Sequence, residues 1–434
     1  MELQSTADLG ADRTARKGIR GRPGVVLTML TFVYVLNFLD RQLLGILAKP
    51  IQDSLDVTDG QLGLIGGLYF AMFYCFIAIP VAWLADRTNR VAVLSVACAI
   101  WSAATIACGL ARTYPQLVVA RMTVGFGEAG GVPPSYALIT DTFAPGRRGF
   151  AFGIYNLGPP IGAALGIAAG ASIAAAFDWR SAFIVIGAIG VIAAIALPLL
   201  VAEPPRGGTD GHVQPVSDKA PFGDTVRSFF ANPTLTLVSF GAGATQFVTY
   251  GLGNFAVLFL MREKGMTLED VAVWYALVVI VGMGGGMLVS GRVIDVLTAK
   301  SRRYFASLPA GSMAISLPFY VAFVWAPTWP VALVLLTIVN FFNYFYLSCA
   351  VTLVQEEAAP NQRVLAGALL LLVANFIGLG RGPTWVGAAS DWIAARGHAN
   401  SLELALYSLA PFYLVAIGLF LLLARRLGRL EALR

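Results

Sequence analysis

The stretch VYVLNFLDRQLLGIL, residues 33–47, sets Asp40 and Arg41 side by side inside an otherwise apolar run. On a soluble helix such a pair would occupy an exposed turn and decide nothing. In a membrane helix it is costly, because a charge at the bilayer centre costs about 2.5–3.5 kcal/mol even on insertion scales. The fold therefore turns on which solvent surrounds this segment.

The rest of the chain answers for lipid. Of 434 residues, 57% are hydrophobic and 12% charged, about half the roughly 25% charge of a soluble domain; the mean hydropathy is +0.74. A spanning helix needs about 20 mostly apolar residues. Twelve such runs can be read, at 25–48, 62–85, 91–111, 115–142, 149–176, 181–201, 234–260, 269–294, 304–325, 328–355, 364–389 and 402–423. They are neither short nor alternating, as the strands of a membrane barrel would be. The expectation is an all-α membrane protein of twelve transmembrane helices.

Basic residues orient it. With the N-terminus in the cytoplasm, 21 of the 30 Lys and Arg fall in inner segments, six in outer loops, and three (Arg41, Arg121, Arg381) inside runs. The positive-inside rule then places both termini in the cytoplasm. The net charge of +6 is read as this orientation signal, and no nucleic-acid binding is inferred from it. The first run is too long for a cleaved signal peptide. All four cysteines lie inside runs, so no disulfide framework is implied. Both histidines, His212 and His398, fall in loops.

A Pro- and Gly-rich polar linker, residues 202–233, divides the chain. An N-terminal tail (1–24) and a six-helix bundle (25–201) precede it; a second bundle (234–423) and a C-terminal tail (424–434) follow. Within the linker, FGDTVRSFF (222–230) is expected to form a short amphipathic helix on the membrane face. The halves echo each other. AWLADR after the second run is matched by GRVIDV after the eighth, with Asp86 and Asp295 offset by 209; PGRRGFA and PNQRVLA after the fourth and tenth relate Pro145 to Pro360 at an offset of 215. Two pseudo-symmetric six-span halves are the sign of a transporter with a site near the midplane between them.

Depth, at 1.5 Å per residue, puts Asp40 of the first run between Arg121 and Glu128 of the fourth. Neighbours on a helix do not face each other, so Asp40 and Arg41 each need a separate partner, whereas Arg121 and Glu128, seven apart, share a face. Two acids and two arginines sum to zero, and protonating one acid leaves the cluster positive. A proton-coupled carrier of an anion needs that property: a proton on Asp40 or Glu128 frees Arg41 or Arg121 to hold a phosphate or carboxylate. With no histidine in a run and no acid deep in the second half, these two carboxylates are the expected proton-coupling residues. The alternative is a static network fixing the first helix to the fourth, but buried ion pairs stabilise poorly compared with apolar packing. Arg381 is expected near the outer face, where snorkelling is cheap. Gln246, Tyr250 and Asn343 are expected to join Arg41 and Arg121 in contacting substrate. VGFGEAGGVPPSY invites a kink in the fourth helix, and Gly158–Pro159 in the fifth is read as packing surface and pivot.

AWLADRTNR is similar to the loop motif G-x-L-A-D-R-x-G-R of the major facilitator superfamily, with Ala82 and Asn89 in place of glycines. RMTVGFGE resembles its fourth-helix motif and GIYNLGPPIG its fifth-helix glycine–proline motif. Within the superfamily, NFLDRQ, ADRTNR, RMTVGFGEA and NFIGLGRGPTWVGAASD resemble the Spinster-like lipid transporters, departing at Asn375, Leu379 and Gly382, where that family has His, Asp and Ser. The resemblance implies a lysophospholipid or sphingosine-phosphate-like cargo, alternating access, and no cofactor or metal beyond the coupling proton. The Ala- and Gly-rich chain looks like a bacterial relative, in the inner membrane and working as a monomer. The resemblance also implies a cytoplasmic gate of Asp86, Arg87, Arg90 and Asp141, with Asp86 at the start of the eleventh helix and Arg90 meeting Asp141. Anion–proton symporters for sugar acids share the same charged residues and form the second reading; a non-transporting sensor on a carrier fold is the third. An enzyme is disfavoured, since no run holds a histidine and no G-x-S-x-G occurs.

Overall fold

In lipid every backbone amide must be satisfied within the chain, and helices do this segment by segment. The computed structural model describes residues 21–205, 222–359 and 362–433. Asp86 and Arg363 are described in backbone only, and most of the N-terminal tail, linker residues 206–221, His212 and Pro360 lie outside the described residues. "Inner" below means the end to which the basic residues assign the cytoplasm.

Twelve helical passages follow in order: helix 1, Pro23–Ile46; helix 2, Asp59–Gly66 continued as Leu68–Arg87; helix 3, Arg90–Leu110; helix 4, Tyr114–Glu128 and Val132–Thr142; helix 5, Pro145–Tyr155 and Gly158–Ala176; helix 6, Trp179–Leu200. The second half holds helix 7, Pro233–Lys264; helix 8, Leu268–Thr298; helix 9, Tyr304–Trp325; helix 10, Trp329–Asn343 and Phe345–Glu357; helix 11, Arg363–Ala394; and helix 12, Ser401–Tyr407 and Ala410–Ala432. Among the described residues, 11 of these are long and apolar enough to cross a membrane. The other is helix 4, which breaks at Ala129–Gly131, within the glycine-rich stretch. The linker helix forms at Phe222–Ala231.

Small residues set the packing. Gly125 of helix 4 faces the main chain of Phe70, where a Cβ would meet the carbonyl oxygen at 2.8 Å, and Gly166 of helix 5 faces helix 1, where a Cβ would come within 2.9 Å of the Leu39 Cα. These contacts draw helices 1, 2, 4 and 5 together around the charged residues. Helix 5 breaks at Asn156–Leu157, immediately before Gly158–Pro159. Helix 10 breaks at Tyr344, and helix 8 widens to π geometry at Val271–Tyr275 and Ile280–Gly284.

Candidate functional site

The four intramembrane charges of the first half pair crosswise. Arg41 of helix 1 donates through Nε to Glu128 Oε2 of helix 4 at 2.5 Å, and Arg121 Nη1 of helix 4 lies 3.7 Å from Asp40 Oδ1 of helix 1. Each member of the Asp40–Arg41 dipeptide thus has its own partner on the other helix. The pairs differ in quality. Arg41–Glu128 is a close charge-assisted hydrogen bond; Arg121–Asp40 is too long for one. Asp40 is instead anchored by Thr105 Oγ1 of helix 3, which donates to Oδ2 at 2.7 Å. Asp40 Oδ1, Glu128 Oε1 and Arg121 Nε and Nη1 are buried with no hydrogen-bond partner among the described residues.

Aromatic faces complete the cluster. The Arg41 guanidinium lies 4.9, 5.5 and 4.6 Å from the ring centres of Phe38, Phe70 and Tyr74, and Arg121 lies 5.5 Å from that of Phe70. One buried ring therefore serves both cations, adding attraction from its quadrupole. Arg41 keeps 11% of its side chain accessible and Glu128 none; Arg121 and Asp40 keep 3% each. Arg41 is the member of the four most open to an arriving anion. Thr105, Phe70 and Tyr74 were not legible as site residues, because a hydroxyl or a ring in a membrane helix carries no charge cost to draw attention.

The second half contributes neutral groups. Tyr250 of helix 7 is half-buried and close enough to Arg41 and Glu128 to feel their charges. Gln246, one turn inward, is buried with its Oε1 unpartnered among the described residues. Asn343, expected to touch substrate, instead has no exposed surface. Its Oδ1 accepts from Ser316 Oγ at 2.8 Å, and its Nδ2 donates to Tyr413 Oη at 3.1 Å. It ties helix 10 to helices 9 and 12, and both ends of its amide are already in use.

Arg90 meets Asp141. It also donates to Glu203 Oε1 at 2.6 Å and to the Pro204 carbonyl at 2.9 Å, partners the sequence did not suggest. Arg90 and Asp141 belong to the first half, and Glu203 and Pro204 to the start of the linker, so these contacts fasten helices 3 and 4 to the chain leaving helix 6. Arg87 stacks on Trp83 at 4.0 Å, and the Asp86 side chain lies outside the described residues.

At the outer end a different set joins the halves. Asp59, at the start of helix 2, accepts from Arg262 of helix 7 at 2.7 and 2.8 Å and from Ser390 of helix 11 at 2.6 Å. Asp391 accepts from Thr58 Oγ1 at 2.6 Å and from Gly60 N at 3.0 Å. Thr384 Oγ1 accepts from Leu68 N at 3.2 Å. The hydrogen bonds and ion pairs found between the halves among the described residues run from the outer end at Asp59 and Asp391 inward to Thr384, so the outer side is clasped shut.

This geometry has close counterparts. The family model of the Major Facilitator Superfamily matches residues 30–383. An MFS-type efflux pump of Mycolicibacterium smegmatis is 29% identical over 402 residues, covering 92% of each chain. Protein spinster homolog 1 of Xenopus tropicalis is 28% identical over 457 residues, covering 97% of this chain and 84% of that protein. The crystal structure of a bacterial homolog of the human lysosomal transporter Spinster, inward-facing and unoccupied, superposes with a TM-score of 0.87 at 30% identity, covering 95% of this chain and 98% of that one. The chain belongs to the major facilitator superfamily of membrane transporters, in its Spinster-like branch.

Proposed function

We propose that this protein is a proton-coupled secondary transporter of an anionic amphiphile, a lysophospholipid or a sphingosine-phosphate-like lipid. It works as a monomer by alternating access in a bacterial inner membrane, with both termini in the cytoplasm. The observation that carries this reading is the crosswise pairing of Asp40 and Arg41 with Arg121 and Glu128. An anion that takes Arg41 leaves Glu128 to accept a proton, and a proton on Glu128 leaves Arg41 to accept an anion. Coupling of this kind is reciprocal. The looser Asp40–Arg121 pair, with Oδ1 unpartnered, offers a second proton position. A proton shifts the inward–outward balance only by its different affinity for the two states, and movement of the second half toward and away from the cluster supplies that difference. Tyr250 and Gln246 present neutral polar contacts from the opposite half.

A second reading, export of another amphiphilic compound, is favoured by the full-length likeness to an efflux pump. The test is flux of a fluorescent lysolipid in proteoliposomes with and without an imposed pH gradient, in the wild type and in Asp40→Asn and Glu128→Gln. The expected outcome is gradient-driven flux that falls at least about tenfold in each variant, since removing one partner of a buried ion pair costs about 3–5 kcal/mol. Full gradient-driven flux in both variants would make the cluster structural. Absence of lipid flux in the wild type would move the assay to sugar acids and other organic anions.

A further inference from the structure

Arg381 of helix 11 stands apart from the central cluster, and the structure does not place it as its position in the sequence suggested. Arg381, Trp385, Ala388 and Trp392 recur every three or four residues and are all exposed. The opposite face of the helix, with Gly382, Val386 and Ser390, is buried, with Gly382 close against Gly251 of helix 7 and Ser390 bonded to Asp59 of helix 2. The exposed stripe therefore faces lipid.

Depth follows from the same stripe. Trp392 is exposed, with Arg396 stacked 3.3 Å over it, and an aromatic ring beside a cation marks the outer interface. Arg381 lies eleven residues below, about 16 Å, near the middle of a hydrocarbon layer about 30 Å thick. Helical side chains lean toward the N-terminus, which here is inward. The guanidinium accordingly lies 5.0 Å over Phe376 and does not snorkel to the outer surface. Among the described residues it has neither an ion pair nor a hydrogen bond. Phe376 in turn meets Phe76 of helix 2, with ring centres 6.0 Å apart, across the seam between the halves. An unpaired cation facing lipid at this depth calls for an anion that comes from the membrane.

We propose that Arg381, above the Phe76–Phe376 pair, docks the phosphate of the lysolipid cargo on the membrane side of this seam before the headgroup reaches Arg41. This rests on the lipid-transport reading above. The guanidinium fork matches two phosphate oxygens, dry surroundings strengthen the pairing, and the two rings offer an apolar bed for the start of the acyl chain.

The test uses the full chain in phosphatidylcholine nanodiscs. Lysophosphatidylglycerol with a brominated chain is titrated while tryptophan fluorescence is followed; brominated lysophosphatidylcholine, whose choline cancels the phosphate charge, is the comparison. The wild type is expected to be quenched by the anionic probe at about tenfold lower concentration, one charge-assisted contact's worth. Arg381→Gln should abolish that preference and Arg381→Lys retain part of it. Trp385→Phe should remove the selective part of the signal, which locates it on this face. In uptake assays Arg381→Gln should raise KM for lysophosphatidylglycerol and leave kcat unchanged. A preference that survives Arg381→Gln overturns the site. A preference lost without any change in KM overturns the cargo role and leaves a bulk-lipid contact. Because the quenching needs no gradient, failure of proton coupling would show in flux alone. If the wild type carries no lysolipid, the cargo role falls with the transport reading.

Discussion

Arg41 holds a carboxylate through Nε and has three aromatic rings within 5.5 Å of its guanidinium. Lysine would keep the charge and lose both the Nε donor and the plane. Arg41→Lys is therefore expected to raise the half-saturating substrate concentration about tenfold, a loss of about 1.4 kcal/mol. Arg121→Lys should change it less, because Arg121 makes no hydrogen bond through Nε or Nη1 among the described residues. Concentration-dependent uptake by the two variants decides the matter, and equal shifts would remove Arg41 as the leading anion contact within the cluster. That these four residues belong together was legible at this scale: charges in lipid are few, and helical rise fixes their depth. Which acid takes which arginine was not legible. That choice depends on the rotation of helix 1 against helix 4, which Gly125, Gly166 and their neighbours set through packing. The partners of Asn343 were hidden for a related reason, since a polar side chain in a membrane helix can serve a neighbouring helix as readily as a cavity.

The breaks in the helices show a similar division between what the sequence displays and what packing decides. Glycines and prolines announced the interruptions of helices 4 and 5. Nothing in NFFNYFYLS announces the break at Tyr344, and the π segments of helix 8 have no single residue as their sign. Position in the repeat explains the first of these: the 215-residue offset that relates Pro145 to Pro360 carries Glu128 onto Asn343, so helices 4 and 10 break at matching places. Matched discontinuities in two halves mark a midplane site. Packing at this scale yields a contrast within helix 5. A methyl group at Gly166 would press on the Leu39 backbone, whereas at Gly153 it would meet nothing within 4 Å. Gly166→Ala should lower the thermal midpoint in detergent, and Gly153→Ala should raise it slightly, by up to about 1 kcal/mol of helix propensity. The reverse order would mean that helix 5 does not bear on helix 1 as described.

At the scale of the two halves, the outer clasp carries the hydrogen bonds found between them among the described residues. Asp59 is its hub, and hydrogen bonds to a charged group contribute about 1.5–3 kcal/mol each. Asp59→Asn should favour the outward-open state and speed labelling of a cysteine placed at Asn254, beside helix 1 at the closed end, by at least about tenfold. An unchanged rate from the outer side would deny the clasp a role in holding this state. Of the clasp, Thr384, Ser390 and Asp391 entered the sequence reading only within the helix 11 motif, and Asp59 and Arg262 were not singled out, because they sit at helix ends where charges are ordinary. The halves also differ in kind. The 209-residue offset carries Arg41 onto Tyr250, and Glu128 already maps to Asn343, so every charge of the cluster has or borders a neutral counterpart. The first half is moreover cross-braced, since helix 1 cannot slide along helix 4 without loosening both ion pairs, and Arg90 pins helices 3 and 4 to the chain leaving helix 6 at the inner end. Seen as a machine, the charged half is a stiff frame and the neutral half its moving jaw. Probes of motion referenced to helix 1 should therefore report displacement of helices 7 and 10 with little distortion inside the frame itself.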